Sequence, residues 1–238
     1  MMWGALAAVA AFYVKGLCGF ANTLVFTTIL SFFTVNASIS PVELLLGYPS
    51  NIILAWKERR AVRWKLCLPL AFFVVVGSIP GILFLKNANA ELIKGVFGIV
   101  IILLGLEMLL GEFHPVYVRK SRAALLLIGV LSGILCGLYG VGALLGAYLK
   151  HVTDDSNSFK ANICIVFLFE NTLRIVLYAV WDILNSDLLK QAMILFPFML
   201  IGLFSGMKSS NILDEKVMKK IVIGMLIVSG MALVWNNM

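Results

Sequence analysis

Lys15-Gly16-Leu17-Cys18-Gly19-Phe20-Ala21-Asn22 interrupts a long apolar run near the start of the chain. A second glycine-rich stretch, Cys136-Gly137-Leu138-Tyr139-Gly140-Val141-Gly142, interrupts another. Gly16, Leu17 and Gly19 align with Gly137, Leu138 and Gly140 at an offset of 121 residues. In hydrocarbon, backbone that leaves the helix is tolerated only where protein or a water-filled cavity surrounds it. Glycine-broken segments at matching places in two apolar halves point to a transport site near the bilayer midplane.

Composition agrees with a membrane setting. The 238 residues are 61% hydrophobic and 13% charged, with a mean hydropathy of +1.01, whereas soluble domains run at about 45–50% apolar and about 25% charged. The net charge of +7 does not indicate a nucleic-acid partner, because the basic residues lie in short loops between apolar runs; that is the positive-inside pattern. The four cysteines, Cys18, Cys67, Cys136 and Cys164, sit in or beside apolar segments and form no CxxC. Neither a zinc site nor a disulfide framework is indicated. No cleavable signal pattern stands out at the start of the chain.

Outward from the first break, residues 2–14 and 20–35 form two apolar arms, too long together for one straight span and short for two. A re-entrant or broken hairpin fits. Spans follow at 41–56, 66–85 and 91–110. The second half repeats the plan: arms at 123–136 and 141–149 around the second break, then spans at 161–180, 191–207 and 221–235. Gly202 and Gly206 match Gly77 and Gly81 at an offset of 125. The stretch Lys57-Glu58-Arg59-Arg60-Ala61-Val62-Arg63-Trp64-Lys65 carries five basic residues and one acidic, which places it in the cytoplasm. Its counterpart at 181–189 carries Asp182 and Asp187 and no base, which places it outside. Opposite orientation of the halves requires an odd number of crossings in each, so each hairpin must return to its own side. The expected fold is an all-α polytopic membrane protein of two inverted repeats, each a glycine-broken helix hairpin plus three transmembrane helices. The first repeat takes residues 1–111, a basic connector 112–122, and the second repeat 123–238.

Several motifs carry a resemblance. Gly133-Ile134-Leu135-Cys136-Gly137-Leu138-Tyr139-Gly140-Val141-Gly142-Ala143 resembles the second-repeat pattern Gly-x3-Gly-x2-Gly-x-Gly-Gly-Gly of the sulfite exporter TauE/SafE family. Ser158-Phe159-Lys160-Ala161-Asn162 resembles the family's Lys-Ala start of the next helix, Arg59–Lys65 its basic loop, and Gly77-Ser78-Ile79-Pro80-Gly81 its Gly-x3-Gly span. The triple glycine is reduced to Phe20-Ala21-Asn22 and to Gly142-Ala143-Leu144, and the proline usual after each break is missing. The resemblance implies a carrier of small sulfur-containing or carboxylate anions, such as sulfite and sulfonates, in a prokaryotic cytoplasmic (inner) membrane.

The residues themselves indicate how an anion would be held. A break gives the following half-helix an N-terminus inside the membrane, whose first N–H groups lack intrahelical partners and carry roughly +0.5 charge from the helix dipole. Two such ends form an anion site. The expected substrate-binding set is Lys15, Gly16, Cys18, Gly19, Asn22, Asn51, Gly137, Gly140, Gly142, Asn171 and Arg174. Each has a plainer reading: glycines as close-packing points, Lys15 as a snorkelling lysine, Glu170 and Arg174 as a self-neutralising i,i+4 pair, the asparagines as glue between helices, and Cys18 and Cys136 as small buried hydrophobes. Glu43 and Glu107 read as structural residues near helix ends, with Glu43 a proton site if transport is proton-coupled. His114 and His151 read as surface residues. The partners expected are a small anion and the bilayer, with a coupling proton or cation left open. No cofactor or metal is expected, and no HExxH, DxxD or CxxC points to an enzyme. The alternative is a membrane-embedded enzyme or a thiol- or persulfide-handling membrane protein.

Overall fold

The computed structural model describes residues 2–31, 39–87, 122–140, 142–153 and 155–210, with single residues at 224, 228 and 231. The expected span at 91–110, all but three residues of that at 221–235, most of the connector, Glu107 and His114 lie outside the described residues. Among the described residues the chain is all-helical: α1 Met2–Cys18, α2 Asn22–Ser31, α3 Ile39–Lys57, a 3-10 turn Arg59–Ala61, α4 Trp64–Asn87, α5 Arg122–Tyr139, α6 Ala143–Val152, α7 Ser156–Val180 and α8 Ser186–Ser209. Three of these, α4 over Trp64–Leu83, α7 and α8, are long and apolar enough to cross a bilayer.

The breaks are shorter than the sequence implied. Helical hydrogen bonding persists until Gly19, whose N–H donates to Lys15 O at 2.6 Å, and until Gly140, whose N–H donates to Cys136 O at 2.7 Å. Lys15, Gly16 and Cys18 are therefore in the last turns of α1, and Gly137 is in the last turn of α5, not in unwound chain. The helices end where a left-handed residue is reached: φ is +87° at Gly19 and +70° at Gly140, a conformation that costs any other L-residue about 1–2 kcal/mol. Ala21 bears that cost at φ +71°, so strain is stored in the first break. The expected polar loop at 150–160 is mostly helix, because Asp155 caps α7 by accepting from Ser158 N at 2.7 Å. Asn185 caps α8 in the same way, accepting from Leu188 N at 2.9 Å, so that α8 starts inside the expected acidic loop.

The packing repeats itself at the offsets read from the sequence. Helix α1 lies along α8, and α4 lies along α5. A Cβ at Gly202 would strike Val9 O, at Gly206 Tyr13 O and at Gly16 Leu203 O. In the other seam a Cβ at Gly77 would strike Val130 O, at Gly81 Ile134 O and at Gly137 Ser78 O. Each contact is the counterpart of one in the other seam. Small residues let the helix backbones touch, as is usual in membrane bundles.

The third pair, α3 and α7, runs antiparallel. Arg174 Nη2 near the end of α7 donates to Ser40 Oγ at the start of α3 (3.1 Å), and Thr172 Oγ1 lies 3.2 Å from Tyr48 OH. Near the start of α7, Asn162 Nδ2 donates to Ala61 O, beyond the end of α3, at 3.4 Å.

Burial departs from that of a soluble protein at both surface and core. Lys15, Asn51, Glu170 and Arg174 are each 1% exposed, while Phe72 is 63% and Met193 76% exposed. Charged groups are almost never fully buried unless paired; here Lys15, Glu43, Glu170 and Arg174 lie inside a largely apolar core, while large apolar side chains also cover much of the outer surface. Exposed Trp56 and Trp64 flank the basic turn, and the Arg59 guanidinium lies 5.1 Å from the Trp56 ring, as expected of an aromatic belt at an interface.

Candidate functional site

Both breaks open on one polar cavity of about 20 Å³, room for a water-sized occupant. The first half supplies Lys15 from α1, Phe20 and Ala21 from the break, Asn22, Thr23 and Leu24 from the start of α2, and Glu43 and Asn51 from α3. The second supplies Gly140 and Gly142 from its break, and Phe167, Asn171 and Arg174 from α7. Helical bonding resumes with Val25 N to Ala21 O (3.2 Å) in one half and Gly146 N to Gly142 O (2.8 Å) in the other. The first turns of α2 and α6 thus begin at the cavity. The cap residue of α6, Gly142, brings no side chain to its end.

The charges fall into two groups. On the α7 side, Arg174 Nε lies 3.7 Å from Glu170 Oε1, and neither atom has a hydrogen-bond partner among the described residues. Arg174 Nη2 reaches Ser40 Oγ and, at 3.3 Å, Tyr178 OH, with the guanidinium 5.6 Å from the Tyr178 ring. A Cβ at Gly140 would stand 2.7 Å from Arg174 Nη1 and 3.3 Å from Thr23 Cγ2. The second break, the first half-helix and this arginine therefore meet. On the α3 side, Lys15 Nζ donates to Gly47 O at 3.4 Å and lies 5.8 Å from the Phe12 ring. The Asn22 side-chain amide donates to Glu43 Oε1. A Cβ at Gly47 would lie 3.3 Å from that oxygen, 3.5 Å from Asn22 Nδ2 and 4.0 Å from Asn171 Nδ2. The buried Asn51 Oδ1 has no hydrogen-bond partner among the described residues.

Of the residues singled out in the sequence, Lys15, Asn22, Asn51, Gly140, Gly142, Asn171 and Arg174 come together on the cavity wall. Gly16 and Gly137 lie in the α1–α8 and α4–α5 seams, against the backbone of the neighbouring helix. Gly19 packs on the Lys160 side chain, and its carbonyl accepts from Cys164 Sγ at 3.6 Å. Cys18 turns back to donate to Val14 O at 2.9 Å. None of these four residues is part of the cavity wall. Lys15 is buried, not snorkelling, and His151 is exposed.

Sequence reasoning passed over Thr23, Phe167 and Gly47, and read Glu43 first as a structural residue near a helix end, with a proton site as its other role. Glu43 is instead buried in the cavity wall. The signal was available: Glu43, Gly47 and Asn51 recur every four residues, which puts them on one face of a helix. Phe167, Asn171 and Arg174 form the corresponding stripe on α7.

Apolar helices able to cross a bilayer, wrapped around buried ionisable groups at two helix breaks, define an integral membrane protein with an internal polar site. The family model described as Sulfite exporter TauE/SafE matches residues 4–233, nearly the whole chain. The protein belongs to the TauE/SafE family, a family of membrane transporters. No curated protein and no solved structure matches it significantly.

Proposed function

We propose that the protein is a secondary transporter of small organic or sulfur-containing anions, sulfite- or sulfonate-like, working by alternating access between its two glycine-broken hairpins. One observation carries the reading: the N-terminal turns of α2 and α6, from opposite halves of the chain, begin at the same cavity as Lys15 and Arg174. Half-helix N-termini and two cations suit an anion that must lose water in the membrane.

The proposed architecture is two inverted repeats, residues 1–111 and 123–238, joined by the basic connector 112–122 in a cytoplasmic membrane. Two observations support it. The glycine seams correspond residue for residue, and α3 and α7, which take the same place in the two halves, run antiparallel. The cavity, at about 20 Å³, has room for a water-sized occupant and less than an oxyanion of sulfite size needs, so the walls would have to part to admit substrate. Rocking of each hairpin along its seam would part them on one side at a time. Lys15, Asn22, Asn51, Asn171 and Arg174 are assigned to substrate contact, with Gly140 and Gly142 giving backbone access.

Purified protein in detergent should be stabilised against heat by sulfite or a sulfonate and not by matched chloride, because a ligand that binds only the folded state raises its stability. Equal stability across such anions at saturating concentration would remove the support for a binding site.

A further inference from the structure

The Glu43 carboxylate stands where a substrate anion would be expected. It accepts from the Asn22 amide, and Thr23 lines the same wall. Asn22 and Thr23 are the first two residues of half-helix α2, the end that favours negative charge. We infer that Glu43 is a tethered competitor of the transported anion: its carboxylate holds the anion position at the start of α2, and leaves it as a neutral acid when the substrate arrives, so that one proton accompanies each anion. This inference rests on the transport reading above and names its coupling ion.

The charge balance gives the reason. Among the described residues, the charged groups facing Glu43 from the elements packed on it are these. Helix α1 brings Lys15, and α2 brings Asn22 and Thr23, neither of which titrates. Helix α7 brings Arg174 on the wall with Glu170 behind it. The ionisable residues of α8 (Asp187, Lys190 and Lys208) are exposed near its ends. The thiols of Cys18 and Cys164 lie toward Lys15. With all four charged groups ionised, two cations face two carboxylates and the buried site is neutral. A further anion would leave the site with a formal charge of −1, offset only by the partial charges of the half-helix N-termini, which is expensive inside a membrane. One proton restores neutrality. Glu170 is the poorer acceptor, because it is off the wall and already beside Arg174. Glu43 is on the wall, where Gly47, one turn further along α3, puts no side chain of its own beside the Glu43 Oε1. The unpartnered Asn51 Oδ1 is a further buried acceptor on the same wall.

The test uses full-length protein in detergent with methanesulfonate as probe, since its charge does not change near neutral pH. Proton uptake on binding is counted by calorimetry in buffers of different ionisation heat. Wild type should take up one proton per anion, and its affinity should fall about tenfold per pH unit as pH rises through neutrality. Glu43→Gln should bind without proton uptake and with an affinity independent of pH, while Glu43→Asp should keep the uptake. Binding by wild type with no proton uptake overturns the proposal and leaves the anion site standing. This count needs no variant, so it decides even if Glu43→Gln does not assemble. Undiminished uptake in Glu43→Gln overturns the assignment to this residue. Absence of methanesulfonate and sulfite binding by wild type overturns the transport reading and the proposal with it.

Discussion

Glu170 and Arg174, one turn apart on α7, face each other at 3.7 Å, and each is 1% exposed. Removing one partner of such a pair strands the other. Arg174→Gln should therefore destabilise the protein by about 3–5 kcal/mol, read as a lower thermal midpoint in detergent. The double variant Glu170→Gln with Arg174→Gln should recover most of that loss. A single variant as stable as wild type would mean that Glu170 is not held as a charge.

Lys15 lies on the other side of the cavity, with its ammonium on Gly47 O and Glu43 nearby. Lys15→Gln should weaken sulfite binding by about 1–3 kcal/mol, the size of one charge-assisted hydrogen bond. If Lys15→Gln binds normally and the stable Glu170→Gln, Arg174→Gln double variant does not, Arg174 is the substrate's main partner.

The glycines should separate into two classes. Gly206→Ala and its counterpart Gly81→Ala put a methyl against a neighbouring helix backbone, so both should lower stability by about 1–3 kcal/mol. Gly140→Leu adds a side chain beside Arg174 Nη1 at φ +70° and should abolish anion binding while much of the assembly survives. Melting curves and binding isotherms on the same preparations distinguish the two. Identical behaviour in both assays would mean that Gly140 is also only a packing residue.

The inverted arrangement makes a topological demand. Single cysteines at Arg60 and Asp187, on a cysteine-free background, should label from opposite sides of the membrane, Arg60 from the cytoplasm. Labelling from the same side would contradict the inverted repeat.

Much of this fold could be read in the sequence because membrane helices follow local rules. Glycine clusters marked both breaks, and the glycines matched at offsets of 121 and 125 fall at equivalent places in the two seams, although the pairing of the helices was not itself read. The break limits were misjudged because Gly16 and Gly137 look like breakers, yet the left-handed turn falls only at Gly19 and Gly140. Packing against Leu203 and Ser78 keeps the earlier glycines helical. Lys15, Asn22 and Arg174 were legible because polar groups in apolar runs are conspicuous. Glu43 was legible only in part: its place in the first turns of α3 resembles a helix end at the interface, while its spacing with Gly47 and Asn51 puts it on one helix face, and the approach of Asn22 from another helix shows it to be interior.

The central claim is that two broken hairpins carry an anion across the membrane. The most direct measurement is counterflow in proteoliposomes loaded with unlabelled sulfite and diluted into a trace of labelled sulfite. A carrier should accumulate label transiently inside, and Gly140→Leu should abolish the overshoot. Label that only equilibrates, or an overshoot undiminished in Gly140→Leu, would contradict alternating access at this site.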